Sequence, residues 1–202
     1  DLFKRGGDSL LGRYRSLPLH PLSVGEVGGT PLSFDRFKHG LEDLPPATPT
    51  SRERYDHLFQ FSGFPEPFLR ADTRFYNRWF DERKRLLIRE DIRDATRLRE
   101  ISLLELLSHA MPDRVGSPLS LNALREEIGV AFETVREWVL LLEQFFYLFR
   151  IYPYTGGALT RSLRKEAKVY LYDWVEVPQE SLRFENLVAL HLLKAVQIWR
   201  AT

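Results

Sequence analysis

The residues of this chain best suited to chemistry are its clustered cations. Arg161, Arg164, Lys165 and Lys168 gather within one short stretch with only Glu166 as a neighbouring acid. Such a cluster on a loop can neutralise phosphates, so these four are the candidate DNA contacts. A second set, Arg85, Arg89, Arg93 and Arg97, recurs every fourth residue. On an ideal helix each step drifts by about 40°, which makes a slowly winding basic stripe. Asp81, Glu90, Asp91 and Asp94 stand close enough for helical ion pairs, so the stripe reads first as a solvated face, with a phosphate-facing or partner-facing arginine row as the sharper alternative.

Other chemistries lack their residues. The chain has no cysteine, which removes disulfides, thiolate metal sites and a Cys nucleophile. His20, His39, His57, His109 and His191 show no metal-ligand spacing, and no metal site is expected. No stretch reads GxxxxGK[ST], so no P-loop cradles a phosphate, and no carboxylate pair stands out as acid and base. With a formal charge of +1 over 202 residues, the chain is not a wholesale polyanion binder. Its apolar runs are too short for a membrane span, so no membrane partner is expected and a cytoplasmic location is the default.

The elements that must position these residues are mainly helical. We divide the chain into a segment over 1–40, a linker over 41–54 marked by Pro45, Pro46 and Pro49, a helical unit over 55–100, a helix-turn-helix unit over 101–177 and a final helix within 178–202. Leu10-Leu11-Gly12-Arg13 suggests a helix end, with Gly12 as C-cap and Arg13 suited to the dipole, before a short strand over 14–19. Phe59, Phe61, Phe64, Phe68, Phe75, Tyr76, Trp79 and Phe80 predict a compact satellite core around a rigid turn at Gly63 to Phe68. A helical pattern covers 73–99.

Three helices then follow with helix-turn-helix spacing: Ile101 to Ala110, Leu121 to Ile128 capped by Ser120, and, after the tight turn at Gly129, Phe132 to Gln144. Val135, Trp138, Val139 and Leu142 form the buried stripe of the third. Two apolar strands, 145–152 and 168–172, flank a Gly-rich loop and complete a wing. The third helix presents Glu133, Arg136 and Glu137, so phosphate repulsion opposes base reading there, and duplex contact falls to the wing. The last helix carries Phe184, Leu187, Val188, Leu192, Ala195, Val196 and Trp199 at helical spacing with no stop signal, and the chain starts without Met, so we expect part of a longer protein.

Several motifs in order carry a family resemblance across nearly the whole chain. They are 7–14 with 17–23 (GDSLLGRY and LPLHPLS), 61–68 (FSGFPEPF), the helix 85–92, the helix-turn-helix and wing, 168–173 (KVYLYD) and 183–189 (RFENLVA). This pattern resembles the part following the sensor strand in a family of bacterial and archaeal ATPases of the AAA+ superfamily. The resemblance implies a mainly α chain with a small β wing: a remnant of an α/β P-loop core, a helical lid and a winged helix. It implies a nuclease-like domain beginning near Phe184-Glu185-Asn186, whose Glu can lie near a metal. Arg13 resembles an arginine finger, a fixed charge that offsets negative charge developing on a neighbouring subunit's nucleotide. ATP and Mg would belong to the parent rather than to this chain, whose partners would be the missing P-loop core, a second copy or nucleic acid. The expected role is coupling nucleotide state to a partner without hydrolysis by this chain alone; the alternative is a DNA-binding winged helix acting through its basic wing.

Overall fold

The computed structural model describes residues 18–29, 48–96, 100–154, 156 and 165–201. The described chain is mainly helical, with a small antiparallel sheet. Its first helix, α1 (Val24–Val27), starts at Ser23, whose hydroxyl accepts from the Glu26 amide while the Glu26 carboxylate returns a bond to the Ser23 backbone. This reciprocal cap satisfies two amides that a helix start leaves unpaired. Helix α2 (Pro49–Phe61) uses Thr48 and Ser51 the same way, with Pro49 in the first turn. It therefore begins inside the stretch read as linker, because proline opens a helix as readily as it breaks one.

The chain reverses at Ser62, a non-glycine residue at φ 73°. Pro65 then starts a short helix, α3 (Pro65–Arg70), where the sequence suggested a plain turn. Asp72 caps α4 (Thr73–Leu86) by accepting from the Phe75 amide at 2.6 Å. The helix continues as a π-helical stretch, Leu87–Ile92, and ends in α5 (Arg93–Thr96). The wider π turn brings residues five apart into line. Leu87, Ile88 and Ile92 all face the core.

Helix α6 (Ile101–Ala110), α7 (Leu121–Ile128) and α8 (Phe132–Gln144) have the bounds expected from sequence. Ser120 caps α7, and Gly129 ends it at φ 79°, a left-handed conformation that costs glycine little. Strands β1 (Leu148–Ile151) and β2 (Lys168–Leu171) pair in register from Leu148 with Leu171 to Ile151 with Lys168. On the other edge of β2, Val115 and Pro118 make isolated bridges to Val169 and Lys168. A 3-10 turn, Trp174–Glu176, leads to the long α9 (Glu180–Ala201).

One buried cluster runs from Leu58 on α2, through Ile88 and Ile92, Leu104 and Leu107, Leu124, Trp138 and Leu142, to Leu187 and Leu190 on α9. Phe59, Phe64 and Phe68 pack against it. These three extend the common core, while Phe64, Trp79, Tyr76 and Phe80 also contact one another ring to ring, as the expected aromatic cluster would. Burial of this shared apolar surface is what holds the helices together.

Candidate functional site

Four consecutive residues, Asp173 to Glu176, form the hub of the molecule. They leave β2 in an apolar neighbourhood, yet two of them carry carboxylates. Trp174 is fully buried, and its indole N–H donates to the Leu58 carbonyl at 3.3 Å. The indole also explains Gly63: a Cβ there would stand 2.5 Å from the Trp174 ring and 2.8 Å from the Leu22 carbonyl oxygen. Only a glycine backbone fits that approach.

Asp173 is enclosed and accepts from the Tyr76 hydroxyl at 3.1 Å and the Val175 amide at 3.2 Å. Burial raises its carboxyl above the ordinary range, while a bond with Ser62 and the charge of Arg83 oppose the rise. Glu176 lies 3.6 Å from the Lys84 ammonium, with side-chain exposures of only 1% and 6%. Tyr147 places its hydroxyl 2.7 Å from the Glu176 carboxylate and 2.9 Å from the Ser108 carbonyl. Having a single proton, that hydroxyl serves one acceptor at a time. Lys84 supplements it, 3.4 Å from the same carbonyl. The other Glu176 oxygen, Oε1, is buried without a partner.

Burial pushes the Glu176 carboxyl up to about 7, against the pull of Lys84. It also lowers the Lys84 ammonium and raises the Tyr147 phenol well above its usual value. Desolvation disfavours every charged form in such a site, and the ion pair recovers only part of that cost. Through these bonds the turn joins α2, α4, the end of α6 and the start of β1. Sequence reasoning did not find this site. Lys84 lies in Asp-Glu-Arg-Lys-Arg, which reads as solvated, and the available signal was Asp173 and Glu176 bracketing Trp174 within an otherwise apolar run.

The residues singled out from sequence fare differently. Arg13, Arg161 and Arg164 lie outside the described residues. Lys165 is exposed, whereas Lys168 pairs with Glu185 at 3.1 Å. Glu185 also accepts from the Tyr170 hydroxyl at 2.8 Å, and these bonds hold its carboxyl below the ordinary range. Among the described residues no group of His, Asp and Glu could hold a metal ion. Next to it, the Asn186 amide donates to and accepts from the Leu171 backbone at 2.7 and 2.8 Å, fixing α9 to β2. Within the Arg row, Arg89 makes two bonds to Glu105 on α6, and Arg93 pairs with Asp94. On α8, Arg136 pairs with Glu133 at 2.6 Å.

Helix α9 divides its apolar residues between two sides. Leu187, Leu190 and Ala195 are buried with Lys194, but Phe184, Val188, Leu192 and Val196 remain 38–50% exposed. The described helices include none long and apolar enough to cross a membrane. Comparison with known sequences places the chain in a family described as a domain of unknown function (DUF8612), which matches residues 52–174. The match runs from within α2 through β2 and closes inside the hub, at Trp174. No curated protein and no solved structure matches the chain.

Proposed function

For this member of the DUF8612 family, we propose that the chain is a coupling module, the lid and winged-helix part of an AAA+-type ATP-binding protein. The observation that carries the reading is the enclosed hub at Asp173 to Glu176. It bonds the helical arm, α2 to α4, to the helix-turn-helix unit, so that a push on one moves the other. A lid must behave in that way to carry nucleotide state from a core to a partner. The order of α6, the bridged segment 115–118, α7, α8, β1 and β2 supports a winged helix in the second unit. Arg13 then acts as an arginine finger, and the missing P-loop core supplies ATP and Mg binding.

The test is hydrogen exchange on a protein carrying this chain joined to its nucleotide core, with and without ATP. Amides of α4 and α8 should change protection together on nucleotide addition. ATP added to the isolated chain should give no saturable binding at micromolar concentration. Nucleotide-independent exchange in both units, or tight ATP binding by the chain alone, sinks the reading. A labelled DNA duplex in the same titration series distinguishes the alternative, because wing contacts predict binding that weakens steeply with salt.

A further inference from the structure

Among the described residues three that are not glycine have a positive φ, and two of them bracket α3. Ser62, before the helix, sits at φ 73° and ψ 164°, a region nearly closed to any residue with a side chain. Ala71, after it, takes the left-handed conformation at φ 52° and ψ 39°. The short α3 is therefore strained at both of its joints.

Strain of this kind persists only where the surroundings enforce it. At the first joint the Ser62 hydroxyl bonds to Asp173, and Gly63 is wedged between the Trp174 ring, Pro21 and the Leu22 carbonyl. The Gly63 carbonyl also accepts from the Leu22 amide at 2.7 Å. Further along, the His57 ring on α2 bonds to the Phe68 carbonyl at 2.8 Å, and Arg83 on α4 lies 4.0 Å above the Phe64 ring. Deep burial contributes less. Within α3 only Pro67 is buried, and Pro65, Glu66, Leu69 and Arg70 are exposed. Its neighbours are anchored differently, α2 by Leu58 and the continuation of α4 by Ile88 and Ile92, all fully buried.

We propose that residues 62–71 form a strained strap over the hub, which opens on Ser62 and Ala71 while α2 and α4 stay folded. Opening breaks the Ser62 bond to Asp173 and lifts the Gly63 backbone from the Trp174 ring. The strap is thus the gate through which solvent reaches the hub. Both strained residues relax on opening, which offsets part of the cost of the broken contacts. The gate goes beyond the coupling role and does not rest on it, because it is a property of the isolated chain.

Native-state hydrogen exchange of the chain reads the opening through the amides of Leu22, Phe68 and Ala71, which bond to the carbonyls of Gly63, Phe64 and Pro67. In wild type the three should exchange together, faster than the Val135 amide of α8 and with little response to low denaturant. Ala71 is exposed, so Ala71→Gly removes strain and no buried contact. It should slow exchange of the three amides about fivefold. Ser62→Ala loses the bond to Asp173 and keeps the strain, whereas Ser62→Gly loses both. The three amides should therefore exchange about fivefold more slowly in Ser62→Gly than in Ser62→Ala, the reverse of the order at an ordinary position. Exchange of the three only together with Val135 in wild type overturns the proposal. So does Ala71→Gly slowing Val135 but not the strap, since Ala71 would then relax only in global unfolding. Exchange in Ser62→Gly as fast as in Ser62→Ala also overturns it, and if Ser62→Ala does not fold, Ala71→Gly decides alone.

Discussion

Among the described residues two buried lysines face a glutamate, and their surroundings push those glutamates in opposite directions. At the hub, Lys84 and Glu176 are both enclosed, at 6% and 1% side-chain exposure. At the start of the chain, Lys194 on α9 is 8% exposed, but its partner Glu26 is 42% exposed. Lys194 also donates to the Pro21 carbonyl at 2.9 Å, clamping the segment before α1 onto α9. Burial raises the Glu26 carboxyl too, yet bonds from Lys194 and Ser23 outweigh it and hold the group below its ordinary range. Water at one end is the difference. A pair that keeps a hydrated partner remains ionic and releasable, whereas a pair sealed on both ends is held by the packing around it.

Removing one half of each pair should expose this contrast, with the largest effect at the hub. Lys84→Met leaves Glu176 enclosed without a countercharge and should cost about 3–5 kcal/mol of folding stability in denaturant titration. Adding Glu176→Leu should restore most of it, because neither charge then has to be desolvated. A double variant as unstable as Lys84→Met would show that the loss comes from removed side-chain contacts and not from an enclosed, unpaired charge. The next effect concerns pH. The folded protein keeps the Glu176 proton up to about 7, while the unfolded chain releases it near the ordinary 4.5. Between these values the folded state binds more protons, so stability falls as pH rises, by ~3 kcal/mol in total. Asp173, raised in the same direction, adds to the slope, and Lys84, whose proton is loosened by burial, opposes it. Glu176→Gln should flatten the profile between pH 4.5 and 7; an unchanged slope would refute the assignment.

The same contrast explains what could be read in the sequence. The boundaries of α6, α7 and α8 were legible because Ser120, Gly129 and the apolar stripe of α8 encode them locally. The start of α1 was equally available, since Ser23 and Glu26 have the spacing of a reciprocal cap, but the surrounding glycines obscured it. The hub was not legible. Burial of Lys84 depends on residues from α6, Tyr147 just before β1 and the turn after β2 closing over it, and no pattern within Asp81 to Arg85 announces that. On α9, helical periodicity identified apolar positions without saying which would be covered: Leu187 is, and Phe184 is not. The π-helical stretch escaped for a different reason, because its fully buried positions, Ile88 and Ile92, have the spacing of a regular helix as well.

The smallest effect belongs to the clamp, and it should have the opposite dependence on acid. Lys194→Met removes the contacts to Pro21 and Glu26 but leaves Glu26 with water, so the global cost should be ~1 kcal/mol. The loss should instead appear locally, as faster hydrogen exchange of the amides at Leu22 and Val24, which bond to the Gly63 carbonyl and the His191 ring. Acid should act as the substitution does. Glu26 has its folded value depressed, so its contribution is present above 4.5 and is lost as pH falls through that lowered value. His191 and His20, both lowered by burial, lose stabilisation as pH drops below 6.5, because the unfolded chain protonates them first. Lowering the pH from 7 towards 5 should therefore loosen residues 20–28 in wild type while the hub tightens, two opposite trends within one exchange experiment. Exchange that slows at both sites would mean that the clamp is as sealed as the hub, and the distinction between a hydrated and an enclosed ion pair would fail for this fold.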